Sequence, residues 1–228
     1  MHRLDKDTTG VLLISLNDSV HRRLSDLFAH GGIEKRYWAV GMGLPKPEAG
    51  SVRTDLEKKF TDRHWRFTAS PNLPNGSCIF QESGANTLDD VSAKAHTNFR
   101  VLSHNGIHAS LLELRPLTGR QHQLRVHCAE VLQAPILGDA LYGPRITPYL
   151  QSELRPHLVM SVIPMHLHAF EIVLPVGATR KTEKKPQVIR APVPSYFKIT
   201  LHVLGLRDVV EEEVAKTSKA AWKRWQRR

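Results

Sequence analysis

Two short stretches of this chain carry charged side chains where a folded interior would need a reason for them. The first, MHRLDKDTTGVLLIS, sets Arg3 and Asp5 two residues apart, just ahead of an apolar run from Val11 to Leu16 that reads as a strand, with Thr8, Thr9 and Gly10 punctuating its entry. Charged residues rarely lead into a sheet without a partner, so this is either a solvated turn or a working site. The second stretch is LRPLTGRQHQLRVHCAEVL. On a helix starting near Gln121, Arg125 falls one turn in, near the positive end of the dipole, while Leu124, Cys128, Val131 and Leu132 recur at helical spacing toward the core. A cation there calls for an anion, either a carboxylate from elsewhere in the fold or a phosphate. The alternative is a solvated arginine on a helix surface.

Histidines raise a competing chemistry. His166 and His168 alternate along a predicted strand and share a face, and His122 and His127 lie beside Arg125. Yet five-residue spacing on a helix does not align two ligands, and neither HExxH nor a carboxylate triad accompanies them, so no metal is expected. Gly41 and Gly43 form a GxG that lacks the third glycine and following helix of a dinucleotide site, and read as a turn. Cys78 and Cys128 stand far apart with no CxxC, which argues against a disulfide scaffold or zinc ribbon and for a reducing compartment.

The elements that must position these residues follow from periodicity. NDSVHRRLSDLFAHGG reads as a helix capped by Asn17, with Val20, Leu24, Leu27 and Phe28 on one face and Gly31 and Gly32 at its end. KRYWAV is a strand; residues 42 to 54 are turns with a short strand near Val52, and 57 to 90 are a polar surface excursion of little periodicity. AKAHTNFRVL and ASLLELRPL pair as a hairpin about Asn105 and Gly106, MHLHAFEIVLP is a further strand, and SYFKITLHVL is expected to be another. The order predicts an α+β fold, a mixed and largely antiparallel sheet flanked by helices. It forms one domain over residues 1–205, followed at 206–228 by a charged helical tail whose Trp222 and Trp225 either stack on RNA or pack on the domain.

With 228 residues, 41% hydrophobic and 24% charged, the chain can bury a substantial core. Its 32 Lys and Arg against 22 acids give a formal charge of +10, a field that favours polyanions, nucleic acid first among them. No apolar stretch is long enough to span a membrane, and the first residues lack the character of a signal or transit peptide, so secretion and membrane partners are not expected.

Together the two charged stretches resemble the RluA-type RNA pseudouridine synthases. The family's HRLD with a following Thr/Ser pair and Gly is matched by His2, Arg3, Leu4, Asp5, Thr8, Thr9 and Gly10, and its TGR-x-HQ-[IL]-R-V-H by Thr118 to His127. Leu137, Gly138, Asp139, Tyr142 and Gly143 match a further hydrophobic-Gly-Asp and Tyr-Gly element; Tyr37 stands where the family carries its active-site tyrosine, and Met165 to Ile172 match its LHA strand. Thr9 in place of a serine, Gln121 in place of a small residue and Pro175-Val176 in place of His-Pro depart from the pattern.

The resemblance implies a cofactor-free isomerase that detaches uracil from C1′, turns it and rejoins it through C5, on structured tRNA or rRNA. Asp5 is by analogy the carboxylate that attacks the substrate or stabilises an oxocarbenium-like sugar. Arg125 holds that carboxylate charged and oriented, and Tyr37 stacks on the extracted base. Arg3 enters the vacated stack; His2, Arg120, His122 and Gln123, from the same motifs, are expected to meet RNA. A monomer in the cytoplasm or mitochondrion is expected. The alternative starts from Met1: family members carry sheet-forming chain before HRLD, so Asp5 at a free end would fray and leave an impaired RNA-binding or ribosome-associated protein.

Overall fold

The computed structural model describes residues 2–61, 64–70, 79–80, 95–157, 162–179 and 185–206. Its elements, in chain order, are β1 (Thr9–Gly10), α1 (Asp18–Ala29), β2 (Glu34–Met42), β3 (Ala49–Thr54), β4 (Leu56–Thr61), β5 (His64–Ala69), β6 (Ile79–Phe80), β7 (Ala95–Asn105), β8 (Ala109–Pro116), α2 (Gln123–Val126), a π-helical turn (His127–Val131), α3 (Pro148–Leu154), β9 (Leu167–Leu174), β10 (Gln187–Arg190) and α4 (Ser195–Val203). The main sheet runs β1-β9-β2-β8-β7-β3-β6, with β10 also on β9. All of its pairings are antiparallel except β1 on β9, which makes it the mixed sheet expected.

Alternating side chains of β2 and β8 divide the core. Tyr37, Ala39, Leu112 and Leu114 point to the face covered by Leu124, Cys128 and Leu132. Trp38, Val40, Met42 and Leu111 point to the other, covered by Leu150 and Leu154 of α3 and Phe197 and Leu201 of α4. α1 closes the β9–β10 edge through Leu24, Leu27 and Phe28, and Asn17 caps it by accepting a hydrogen bond from the Val20 amide, as expected. On the α3–α4 face the buried Arg36 lies between Glu113 at 3.1 Å and Glu171 at 3.6 Å, while Arg100 and Arg115 reach Glu113 and Arg190 reaches Glu171. Burial would raise the Glu113 carboxyl, but its arginine partners outweigh that and hold it below its ordinary range.

Three sequence expectations are corrected. Val11 to Leu16 is not a buried strand: only Thr9 and Gly10 pair, because β10 takes over the same edge of β9 from Glu171 onward, and Ile14 and Leu16 stand 73% and 95% exposed. SYFKITLHVL contains α4, a helix, since Phe197, Thr200, Leu201 and Leu204 recur at helical rather than alternating spacing and seat it on the sheet. Part of the polar excursion is ordered as the β4–β5 hairpin, whose alternation is masked by lysines on an exposed surface. The expected tail from 207 onward lies outside the described residues.

Candidate active site

The segment carrying Asp5 is docked rather than frayed. Gly10 makes this possible: at φ +122° a Cβ would lie 2.3 Å from the Ala169 carbonyl oxygen, so only glycine lets β1 approach β9 this closely. The Thr9 hydroxyl bonds His168 Nδ1 at 2.9 Å, the Val11 amide donates to Ala169, and Leu4 packs against the core. The Thr8 amide donates to the Asp5 carbonyl, closing the turn that presents the Asp5 side chain.

That side chain, 20% exposed, faces Arg125, with Oδ2 3.9 Å from Nη1. At this distance and an effective dielectric near 20 the pair attracts by about 4 kcal/mol. Asp5 is nevertheless not the primary partner of the arginine. Asp139 takes Arg125 in a two-pronged grip, Nε to Oδ2 and Nη2 to Oδ1, both at 2.7 Å, and its Oδ1 also accepts the amides of Leu141 and Tyr142. The Tyr142 ring lies 5.0 Å from the guanidinium carbon. Burial works against the charge on Arg125, but the hydrogen bond and charge of Asp139, then the charge of Asp5, raise its pKa. Burial likewise pushes Asp139 upward, and the hydrogen bond and charge of Arg125 overcome it, holding the carboxyl low. One guanidinium between two carboxylates leaves a local net negative charge.

Tyr37 enters from β2 and is buried in the core cluster, within reach of the charge of Asp5. Burial, and then the charge of Asp5, push its phenol up to about 12. At neutral pH it keeps its proton, so its ring can stack on a base while its oxygen is poorly suited to remove one.

The structure divides the four residues expected beside Arg3 at the RNA. His122, at φ 57°, heads α2 and bonds Tyr142 through Nδ1 at 2.9 Å. The same Tyr142 oxygen accepts the Phe67 amide at 3.0 Å, tying His122 and β5 to one phenol. Burial lowers the pKa of His122 despite the opposing charge of Asp5. Arg120 is exposed, and so is Arg3, whose charge reaches His122. Gln123 is turned inward: its oxygen accepts from Thr118 and the Arg120 amide, and its nitrogen donates to His96 and Thr97. All four bonds are internal, so it fixes the loop rather than facing RNA. His2 also points inward, stacked on Phe28 at 4.9 Å and accepting the Leu13 amide; burial, then the charge of Lys35, lower it to about 4.

His166 and His168 share a face as expected and serve as tie points. His166 bonds the Thr200 hydroxyl of α4, and His168 bonds Thr9 and contacts Ala191. Sequence reasoning missed the grip of Asp139 on Arg125. The signal was present: a buried guanidinium requires a partner, and Gly138-Asp139 lies just beyond the same helix. It also missed that the β4–β5 hairpin leans on this site, through Phe67 to Tyr142 and the Ala69 amide to Glu130 at 2.7 Å.

Residues 1–130 match the family model described as RNA pseudouridylate synthase. Among curated proteins, the mitochondrial pseudouridylate synthase RPUSD4 of Bos taurus is 35% identical over 224 residues, covering 90% of this chain and 56% of that protein. An uncharacterized RNA pseudouridine synthase of Zymomonas mobilis is 35% identical over 198 residues, covering 86% of this chain and 74% of the other. The solved structure of human RNA pseudouridylate synthase domain containing 4 superposes with a TM-score of 0.69 at 30% identity, covering 90% of this chain and 74% of that one. The chain thus spans little more than half the length of the bovine relative.

Proposed function

The chain belongs to the RluA-type RNA pseudouridine synthase family, and from that premise we propose that it isomerises a uridine in structured tRNA or rRNA, with Asp5 as the carboxylate that meets C1′. The observation that carries the reading is the approach of Asp5 to an arginine that a second carboxylate already holds in place. Breaking the bond between C1′ and N1 leaves the sugar short of electrons. Asp5 either bonds to that carbon or stabilises it electrostatically, and the net negative charge of the Asp5, Arg125 and Asp139 group favours a positive centre beside it. The uracil, stacked on Tyr37, turns and forms its new bond from C5 to C1′, displacing Asp5 where it had bonded there; C5 then loses its hydrogen as a proton, and N1, which kept the electron pair of the broken bond, gains one. No electrons are gained or lost and no cofactor is required.

Arg3, Arg120 and His122 lie around the entrance on this reading, Arg3 filling the space the uridine leaves and Arg120 meeting phosphate. The bovine relative's mitochondrial name makes mitochondrial RNA the first substrate to try. The test is to incubate the protein with separate transcripts of mitochondrial ribosomal and transfer RNA, digest them and quantify pseudouridine by mass spectrometry. Product in one class identifies the substrate, and none in either, with both RNAs bound, would overturn the proposal. Binding should weaken steeply with salt, because phosphate contacts release counterions.

A further inference from the structure

The β4–β5 hairpin does more than lean on the site. In register, one of its faces carries Leu56, Lys58 and Phe60 opposite Ala69, Phe67 and Trp65. At the inner end Phe67 meets the His122 ring edge-on at 6.0 Å, and His122 meets Tyr142 in the same manner at 5.6 Å. Further out, Trp65 and Phe60 pack edge to face with centroids 5.3 Å apart, and Lys58 Nζ stands 5.1 Å from the Trp65 centroid. Both outer rings are open to solvent, 60% exposed for Phe60 and 61% for Trp65. A cross-strand aromatic pair would stabilise a hairpin by itself. It does not explain why a hairpin hydrogen-bonded to Tyr142 turns its widest rings to water.

The geometry points to this row of rings as a stacking track for unpaired nucleotides that flank the one held at Asp5, with Lys58, on the same face, meeting a phosphate. Same-face side chains two residues apart on a strand lie about 7 Å from each other, so Phe67 and Trp65 can take successive bases. Stacking suits any base, since each has a π-face, and the ammonium group of Lys58 supplies charge without reading sequence. The track runs from Tyr142 beneath Arg125 outward to Phe60, continuous with the site. This inference rests on the proposed RNA substrate but not on catalysis.

The test uses the full chain with two probes, fluorescein-labelled dodecauridylate and a 12-base-pair RNA duplex, at fixed salt. Trp65→Thr, which keeps a strand-forming residue, should weaken dodecauridylate binding about tenfold, as expected for one lost base stack, while Trp65→Phe stays within about twofold. Duplex affinity and the salt slope should not change, because no charge is altered. Unaltered dodecauridylate binding by Trp65→Thr, or an equal loss for the duplex, would overturn the track. A second readout does not depend on how that variant folds. In a Trp222→Phe, Trp225→Phe background the remaining tryptophans are Trp65 and the wholly buried Trp38, so dodecauridylate should quench emission, and unquenched emission at saturation would also overturn it. An RNA binder without isomerase activity would pass both tests and an isomerase without the track would fail them, so the two readings fall separately.

Discussion

Replacing Asp139 with asparagine should destabilise this protein more than the same change at Asp5, although Asp139 is the farther of the two from the proposed substrate. The amide oxygen can still accept the Leu141 and Tyr142 amides, so the turn keeps its shape. The grip on Arg125 is what changes. An NH2 group replaces Oδ2 and cannot accept from Nε, the oxygen that still accepts Nη2 no longer carries charge, and Asp5 at 3.9 Å is left as the carboxylate facing the arginine. Breaking a buried ion pair on one side costs about 3–5 kcal/mol. For a chain of this size, at about 2–4 °C per kcal/mol, that lowers the melting temperature by roughly 10 °C. The assay is a thermal melt by circular dichroism, paired with the isomerisation rate well below the transition, which should also fall because Arg125 is no longer oriented. Removing both partners in Asp139→Asn/Arg125→Met should recover part of the stability and none of the rate. A melting temperature within 2 °C of the wild type in Asp139→Asn would refute the account of how Arg125 is held.

Other consequences concern the base, the strand and the pH. Tyr37→Phe should keep the rate within about threefold, because a phenol pushed up to about 12 contributes its ring rather than its oxygen, whereas Tyr37→Leu should lose roughly a hundredfold; a large loss in Tyr37→Phe would restore the hydroxyl to the mechanism. Gly10→Ala should destabilise by about 3 kcal/mol and release Asp5, since the new methyl meets the Ala169 carbonyl at 2.3 Å; an unchanged urea midpoint would count against β1 as the anchor. His127 is lowered to about 3 by burial and then by His96, and His166 to about 4 by burial. Both stay neutral in the folded chain while the unfolded chain protonates below about 6.5, so their contribution is complete above that pH and is lost as pH falls toward 4 and 3. At pH 5.5 each should cost about 1.4 kcal/mol, read as a lower urea midpoint than at pH 7. Equal midpoints would contradict this.

How much of this was legible in the chain follows from what each signal depends on. Asn17 and the Val20, Leu24, Leu27 and Phe28 stripe specify α1 locally, and the Asn105-Gly106 turn between alternating strands specifies β7 and β8. Arg125 declared its need for an anion, but whether Asp5 or Asp139 answers depends on a turn at Gly138, where a Cβ would lie 2.1 Å from the Pro164 oxygen; that is a tertiary contact with no local trace. Gln123 and His2 look like polar surface residues in any window of sequence, and only the folded positions of His96, Thr97 and Phe28 turn them inward. The run after Gly10 misled for a related reason. Its apolar residues satisfy a strand pattern, while the edge they would join is already occupied by β10.

The proposed chemistry turns on the carboxylate of Asp5. RNA labelled with tritium at uridine C5 releases the label when the new bond to C5 is made, so tritium release under single-turnover conditions reads the chemistry directly. Asp5→Asn should bind the same RNA within about twofold of the wild type and release no tritium above background. Release at a rate comparable to the wild type would contradict it.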